Sequence, residues 1–179
     1  MLLRADSLAS THAIAAALAG LARKGDVIVL AGEMGAGKTA FAQGFGRALG
    51  VTEPITSPTF TLVHSYDCPG KLTLHHADLY RLDRMVELDD LALHELAEFG
   101  GIVLVEWGDV AAAGLGEHLE VRLRRDDSDD SDVTDGADDA DDVDEFGLDE
   151  ARLIELHATG RAWAGRWDRL ARELEGYRC

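Results

Sequence analysis

Two short apolar runs stand out along the chain. Asp26-Val27-Ile28-Val29-Leu30-Ala31 is rich in β-branched residues, as a strand covered on both faces requires. Ile102-Val103-Leu104-Val105 is the second such strand, and it ends at Glu106. Helical periodicity appears before and after the first run. Thr11 to Leu21 reads as a helix capped by Ser10 or Thr11, with Ile14, Leu18 and Leu21 as its stripe. Phe41, Phe45, Ala48 and Leu49 recur on one helical face, and Gly50 stands where a helix C-terminal glycine belongs. Pro58 blocks a helix, and the residues after it, to His64, alternate like a strand. Leu72 to Ala77 is placed to pair with it across a turn near Pro69-Gly70. Val86 to Phe99 reads as a helix with Leu88, Leu91 and Leu96 inward. Leu119–Leu123 and Arg152–Leu156 alternate and are expected to pair. Trp163, Trp167, Leu170 and Leu174 lie at helical spacing, as a core stripe or as a base-stacking platform. No internal repeat is visible. Strands alternating with helices make this an α/β chain.

Charge changes the picture in one place. The formal net charge is −17, yet residues 126–150 alone hold fourteen Asp or Glu and no Lys or Arg. The acidity is a local tract rather than a property of the whole. With almost no apolar content, residues 126–147 are expected to be a disordered insertion in the loop of a C-terminal hairpin. It reads either as a solvated insertion or as an acidic interaction segment; EF-hand spacing is absent. Such a tract repels phosphate backbones, so direct nucleic-acid binding is not expected. The 179 residues suffice for a single domain, 46% of them hydrophobic. No apolar run is long enough to cross a bilayer, and no signal-peptide pattern opens the chain. Two cysteines make no disulfide framework, which fits a reducing cytoplasm.

The candidate chemistry begins at Gly32-Glu33-Met34-Gly35-Ala36-Gly37-Lys38-Thr39, which fits G-x-x-x-x-G-K-[ST]. Glycines let a backbone bend around an anion with its N–H groups inward. The amides from Glu33 through Thr39 are thus candidate phosphate ligands. Lys38 would reach the β- and γ-phosphates, and the Thr39 hydroxyl would face Mg²⁺. Strand, loop and helix follow in the order that aims a helix N-terminus at the anion. Glu106, at the end of the second apolar strand, is placed to hold Mg²⁺ directly or to orient its water; the plain alternative is a solvated acid at a strand end. Trp107 is open between core and site. Asp78 is a second carboxylate candidate, for the cation's shell or the attacking water. Thr56-Ser57-Pro58-Thr59 is either a switch segment sensing the γ-phosphate, through Thr59 among others, or an ordinary turn. His75 and His76 are adjacent, so on a strand their rings face opposite sides, and no zinc spacing exists. Asp67-Cys68-Pro69-Gly70 reads as a turn, and no N-K-x-D guanine motif appears.

Together, Gly32–Thr39, Phe41-Ala42-Gln43-Gly44-Phe45, Ser57-Pro58-Thr59-Phe60-Thr61-Leu62, His76-Ala77-Asp78-Leu79-Tyr80-Arg81-Leu82 and Leu104-Val105-Glu106-Trp107 resemble the TsaE family, long called YjeE. The likeness runs from about Thr11 to Trp107 and is weaker beyond. It implies a P-loop nucleotide-binding fold: a central, mostly parallel sheet with flanking antiparallel strands and helices on both faces. It implies a small bacterial ATPase, using ATP and Mg²⁺, needed for threonylcarbamoyladenosine in transfer RNA. TsaB and TsaD would be its partners, reset for turnover by slow hydrolysis. Thr39 and Glu106 match the family's magnesium residues, Asp78 its other important acid, and Thr11 a threonine beside the nucleotide. The acidic tract departs from the family in length. Two rivals remain at this point: a small-molecule kinase, with Arg161, Arg166 and Arg169 as lid candidates, and a nucleotide-gated binding module without turnover.

Overall fold

The computed structural model describes residues 1–58, 62–79, 93–107, 115–126 and 150–179. In chain order the elements are β1 (Leu2–Ala5), α1 (Leu8–Leu21), β2 (Val27–Ala31), α2 (Lys38–Leu49), β3 (Val63–Cys68), β4 (Leu72–Asp78), α3 (Leu93–Glu98), β5 (Gly101–Glu106), β6 (His118–Arg125), β7 (Arg152–Thr159) and α4 (Trp167–Glu173). The described strands form one sheet, ordered β1-β7-β6-β2-β5-β4-β3. Its centre, β6-β2-β5-β4, is parallel, and β1, β7 and β3 join it antiparallel. The apolar runs are the central strands because only there are both faces covered: every residue of β2 and of β5 is buried.

Helices cover both faces. On one, Ile14 and Leu18 of α1, Phe41 and Phe45 of α2 and Leu170 of α4 pack on Ile28, Leu30, Leu104, Val121 and Ile154. On the other, Leu93 and Ala97 of α3 pack on Val27, Val29, Val103 and Val105. Each such buried side chain is worth about 1.5–3 kcal/mol relative to exposure. Gly50 has φ 89° and its N–H returns to Arg47 O, the expected helix stop. The β3–β4 turn falls at Pro69-Gly70, as the sequence suggests, with Gly70 at φ 75°.

Several expectations shift. α1 begins earlier: Ser7, not Ser10 or Thr11, is its cap, because Ser7 is extended and its Oγ accepts from Ser10 N at 3.2 Å. β1 was not foreseen; Leu3 and Ala5 point inward from an edge strand. β3 runs over Val63–Cys68; of the stretch after Pro58 expected to alternate, Thr59, Phe60 and Thr61 lie outside the described residues. Ala48 is exposed, since α2 turns Ala42, Gly44 and Gly46 inward instead. The stripe near the end is core, but not one helix: Trp163 precedes a 3₁₀ turn (Ala164–Arg166) and α4 follows it. Of the helix expected over Val86–Phe99, α3 is the described part; Leu88 and Leu91 lie outside the described residues. So does the acidic tract, apart from its ends. β6 and β7 pair as expected, and Asp126 N still donates to Ala151 O at 3.0 Å. Among the described residues, no helix is long and apolar enough to cross a membrane.

Candidate functional site

The loop between β2 and α2 leaves the C-terminal edge of the central strands, where parallel α/β sheets place their ligands. Gly32, Gly35 and Gly37 have φ of 136°, 77° and 101°, values that L side chains rarely adopt. At Gly32 a Cβ would also overlap the carbonyl oxygen of Leu123 in β6. The chain therefore winds tightly round a centre. α2 begins at Lys38, so its first amides face that centre. Glu33, Met34 and Gly35 form the exposed crown, and Ala36 packs beneath it.

Lys38 is buried, 5% exposed. Its Nζ donates to the carbonyls of Gly32 and Glu33, both at 2.8 Å, and sits 3.8 Å from the centroid of the Trp107 ring. Trp107 thus takes part in both of its open readings, covering Lys38 and packing against the core on the α3 face. It holds φ 60°, a strained value for an aromatic residue, while its N–H bonds to Leu30 O at 3.0 Å.

Thr39 Oγ1 donates to Glu106, at 3.0 Å to Oε1 and 3.4 Å to Oε2. Glu106 is 3% exposed, so a solvated strand-end acid is excluded. Asp78 is the register partner of Glu106 in the parallel β4–β5 pair, and the two side chains leave the same face. Asp78 Oδ2 accepts from Ser57 Oγ at 3.0 Å, which ties the Thr56–Pro58 segment to the second acid. One carboxylate per strand, a hydroxyl at the helix start and a hydroxyl on a loop make an all-oxygen set that suits a hard cation such as Mg²⁺. Thr59 lies outside the described residues. Thr11 is placed in the first turn of α1, its hydroxyl donating to Ser7 O at 3.2 Å rather than to this cluster.

Sequence reasoning missed three things here. His76 Nε2 lies 3.0 Å from Glu106 Oε1. The ring position beside a buried acid follows from strand register, not from any local pattern. Arg125 and Arg152 reach the loop from β6 and β7: Nη2 and Nε approach the Cβ sites of Gly35 and Gly37 to 3.4 and 3.8 Å. A groove of about 480 Å³ lies between, lined by Glu33, Met34, Ala36, Arg122, Arg125 and Leu153 among others. Of the three arginines proposed for a kinase lid, Arg166 and Arg169 are otherwise engaged, while Arg161 is exposed. Arg166 is 6% exposed and binds Asp26 through two bonds of 2.5 and 2.8 Å, stacked on Trp163. Arg169 pairs with Glu173 one turn away.

A glycine loop on a central parallel strand, opening a helix that meets an acid from the next strand, defines the P-loop class of α/β proteins. Comparison with known proteins narrows this. The sequence model of the family described as "Threonylcarbamoyl adenosine biosynthesis protein TsaE" matches residues 5–133. The tRNA threonylcarbamoyladenosine biosynthesis protein TsaE of Bacillus subtilis is 42% identical over 116 residues, 64% of this chain and 72% of that one. Its namesake in Streptomyces coelicolor is 39% identical over 149 residues, 82% and 89% of the two chains. A crystal structure of Bacillus subtilis YdiB superposes with a TM-score of 0.66 at 31% identity, covering 98% of this chain and 94% of the other. The chain belongs to the TsaE family.

Proposed function

We propose that the protein binds ATP with Mg²⁺ at the loop and hydrolyses it, and that this hydrolysis resets a TsaB–TsaD complex during threonylcarbamoyladenosine modification of transfer RNA. The observation that carries the reading is the Thr39–Glu106 hydrogen bond, which brings the half-buried helix-start hydroxyl onto the buried strand-end acid. The family's part in threonylcarbamoyladenosine biosynthesis supports the pathway; adenine over guanine rests on the family and on the missing guanine motif.

Each residue then has a task. The loop amides and the α2 N-terminus hold the phosphates. Lys38 exchanges its bonds to the Gly32 and Glu33 carbonyls for phosphate oxygens. Thr39 and Glu106 would hold the magnesium, which would supply neutralisation of the phosphate charge. The Thr39 hydroxyl donates to Glu106, which leaves its oxygen lone pairs with which it would hold the cation. Asp78, braced by Ser57, orients the attacking water. The Thr56–Thr59 segment, joined to Asp78 through Ser57, carries nucleotide state towards the partners. The partner complex supplies the chemistry that is coupled.

The test is Glu106→Gln, assayed for phosphate release with ATP and Mg²⁺, alone and with TsaB–TsaD. Losing an electrostatic group aimed at the transferred phosphoryl lowers the rate about 100-fold or more. An undiminished rate removes Glu106 from the reaction. Transfer of phosphate to a metabolite instead of water would favour the kinase rival.

A further inference from the structure

His76 has no task in the reading above, and folding stability does not explain it. The residue is 0% exposed, between Leu74 and Asp78 on the face of β4 that packs under α2. Its Nδ1 is buried and has no hydrogen-bond partner among the described residues. An unsatisfied buried polar atom costs stability, a cost that a leucine in this slot would avoid. Its other nitrogen, Nε2, is 3.0 Å from Oε1 of Glu106. A carboxylate oxygen accepts, so Nε2 carries the proton and donates. Thr39 Oγ1 donates to the same Oε1 at 3.0 Å, and its approach to Oε2 is the longer, 3.4 Å. Glutamate has one more rotatable bond than the aspartate found at this position in many P-loop proteins. Its carboxylate is fixed only if something behind it holds on.

We propose that His76 is a positioning residue: its Nε2–H pins Oε1 of Glu106 from beneath, so that Oε2 is presented to the magnesium shell. This rests on the nucleotide reading of the site. Outer partners of metal-holding carboxylates fix ligand orientation, and their loss typically costs 10–100-fold in metal affinity or activity.

The experiment is a calorimetric titration of ATP into the full chain at a series of Mg²⁺ concentrations and in EDTA, with urea unfolding as a check of folding. His76→Leu removes the donor. His76→Asn keeps polarity in the buried slot but falls short of Glu106, and serves if the leucine variant does not fold. His76→Gln places an amide N–H at about the reach of Nε2. The leucine and asparagine variants should need about 10-fold more Mg²⁺ to tighten ATP binding, with parental affinity in EDTA; the glutamine variant should stay within about twofold of the parent. A folded His76→Asn or His76→Leu with the parental Mg²⁺ requirement overturns the proposal, as does a His76→Gln as impaired as they are. A parent whose ATP binding ignores Mg²⁺ overturns the nucleotide reading itself, and this proposal with it.

Discussion

His75 follows Leu74 and precedes His76 on β4, and the two rings leave opposite faces of the sheet. His76 reaches the acid cluster; His75 faces the α3 side, 9% exposed, with Nδ1 2.8 Å from Ser65 Oγ. Burial lowers the His75 pKa below its ordinary 6.5. His12 moves the same way, by burial first and then by the charge of Arg47. A group lowered by folding binds fewer protons in the native state. Its stabilisation is complete above about pH 6.5 and drains away as pH falls below that value. The urea midpoint should therefore drop between about pH 7.5 and 5.5, and His75→Gln should shrink that drop. An identical drop in both proteins would contradict the assignment. Lys38, Thr39 and Glu106 were legible in the chain because a loop motif and a strand end are local signals. His76 was not, because its partner lies 30 residues away and only the β4–β5 register joins them.

Where α1 crosses α2, the two helices meet backbone to backbone at Gly44. A Cβ on Gly44 would lie 2.7 Å from His12 Cα, a backbone atom that cannot swing aside. Gly44→Ala sets two effects against each other. Helix propensity favours alanine by about 1 kcal/mol. Forcing two helices apart over a close-packed core costs about 1–3 kcal/mol. The clash with backbone should win, giving a net destabilisation of up to about 2 kcal/mol in urea unfolding. A more stable variant would show that the helix pair yields freely. The central strands and α2 were readable because burial on both faces, or on one helical stripe, writes a periodic pattern. β1 was not, because four residues on a sheet edge carry too little of one, and their place is set by β7. The start of α1 was misread because Ser7, Ser10 and Thr11 are all plausible caps, and only the extended backbone at Ser7 decides among them.

The whole molecule is drawn together around the strand that carries the loop. Asp26, just before β2, is held by both guanidinium nitrogens of Arg166 and by Arg23 N at 2.7 Å, which fastens the C-terminal segment to the base of that strand. At its other end, β2 delivers the loop between α2 on one side and the β6–β7 hairpin on the other. The fold class was plain from the order of patterned segments. The groove walled by the hairpin was not, because Arg125 and Arg152 stand on either side of the acidic tract in the chain and come together only through strand pairing. Everything proposed for the molecule depends on a triphosphate taking the place of the Gly32 and Glu33 carbonyls at Lys38. Calorimetry of ATP with Mg²⁺ on the parent and on Lys38→Ala asks this directly. Saturable binding by the parent, weakened about 100-fold by loss of one charge-assisted donor, is the expected result. No binding by the parent, or equal affinity in the two proteins, would contradict it.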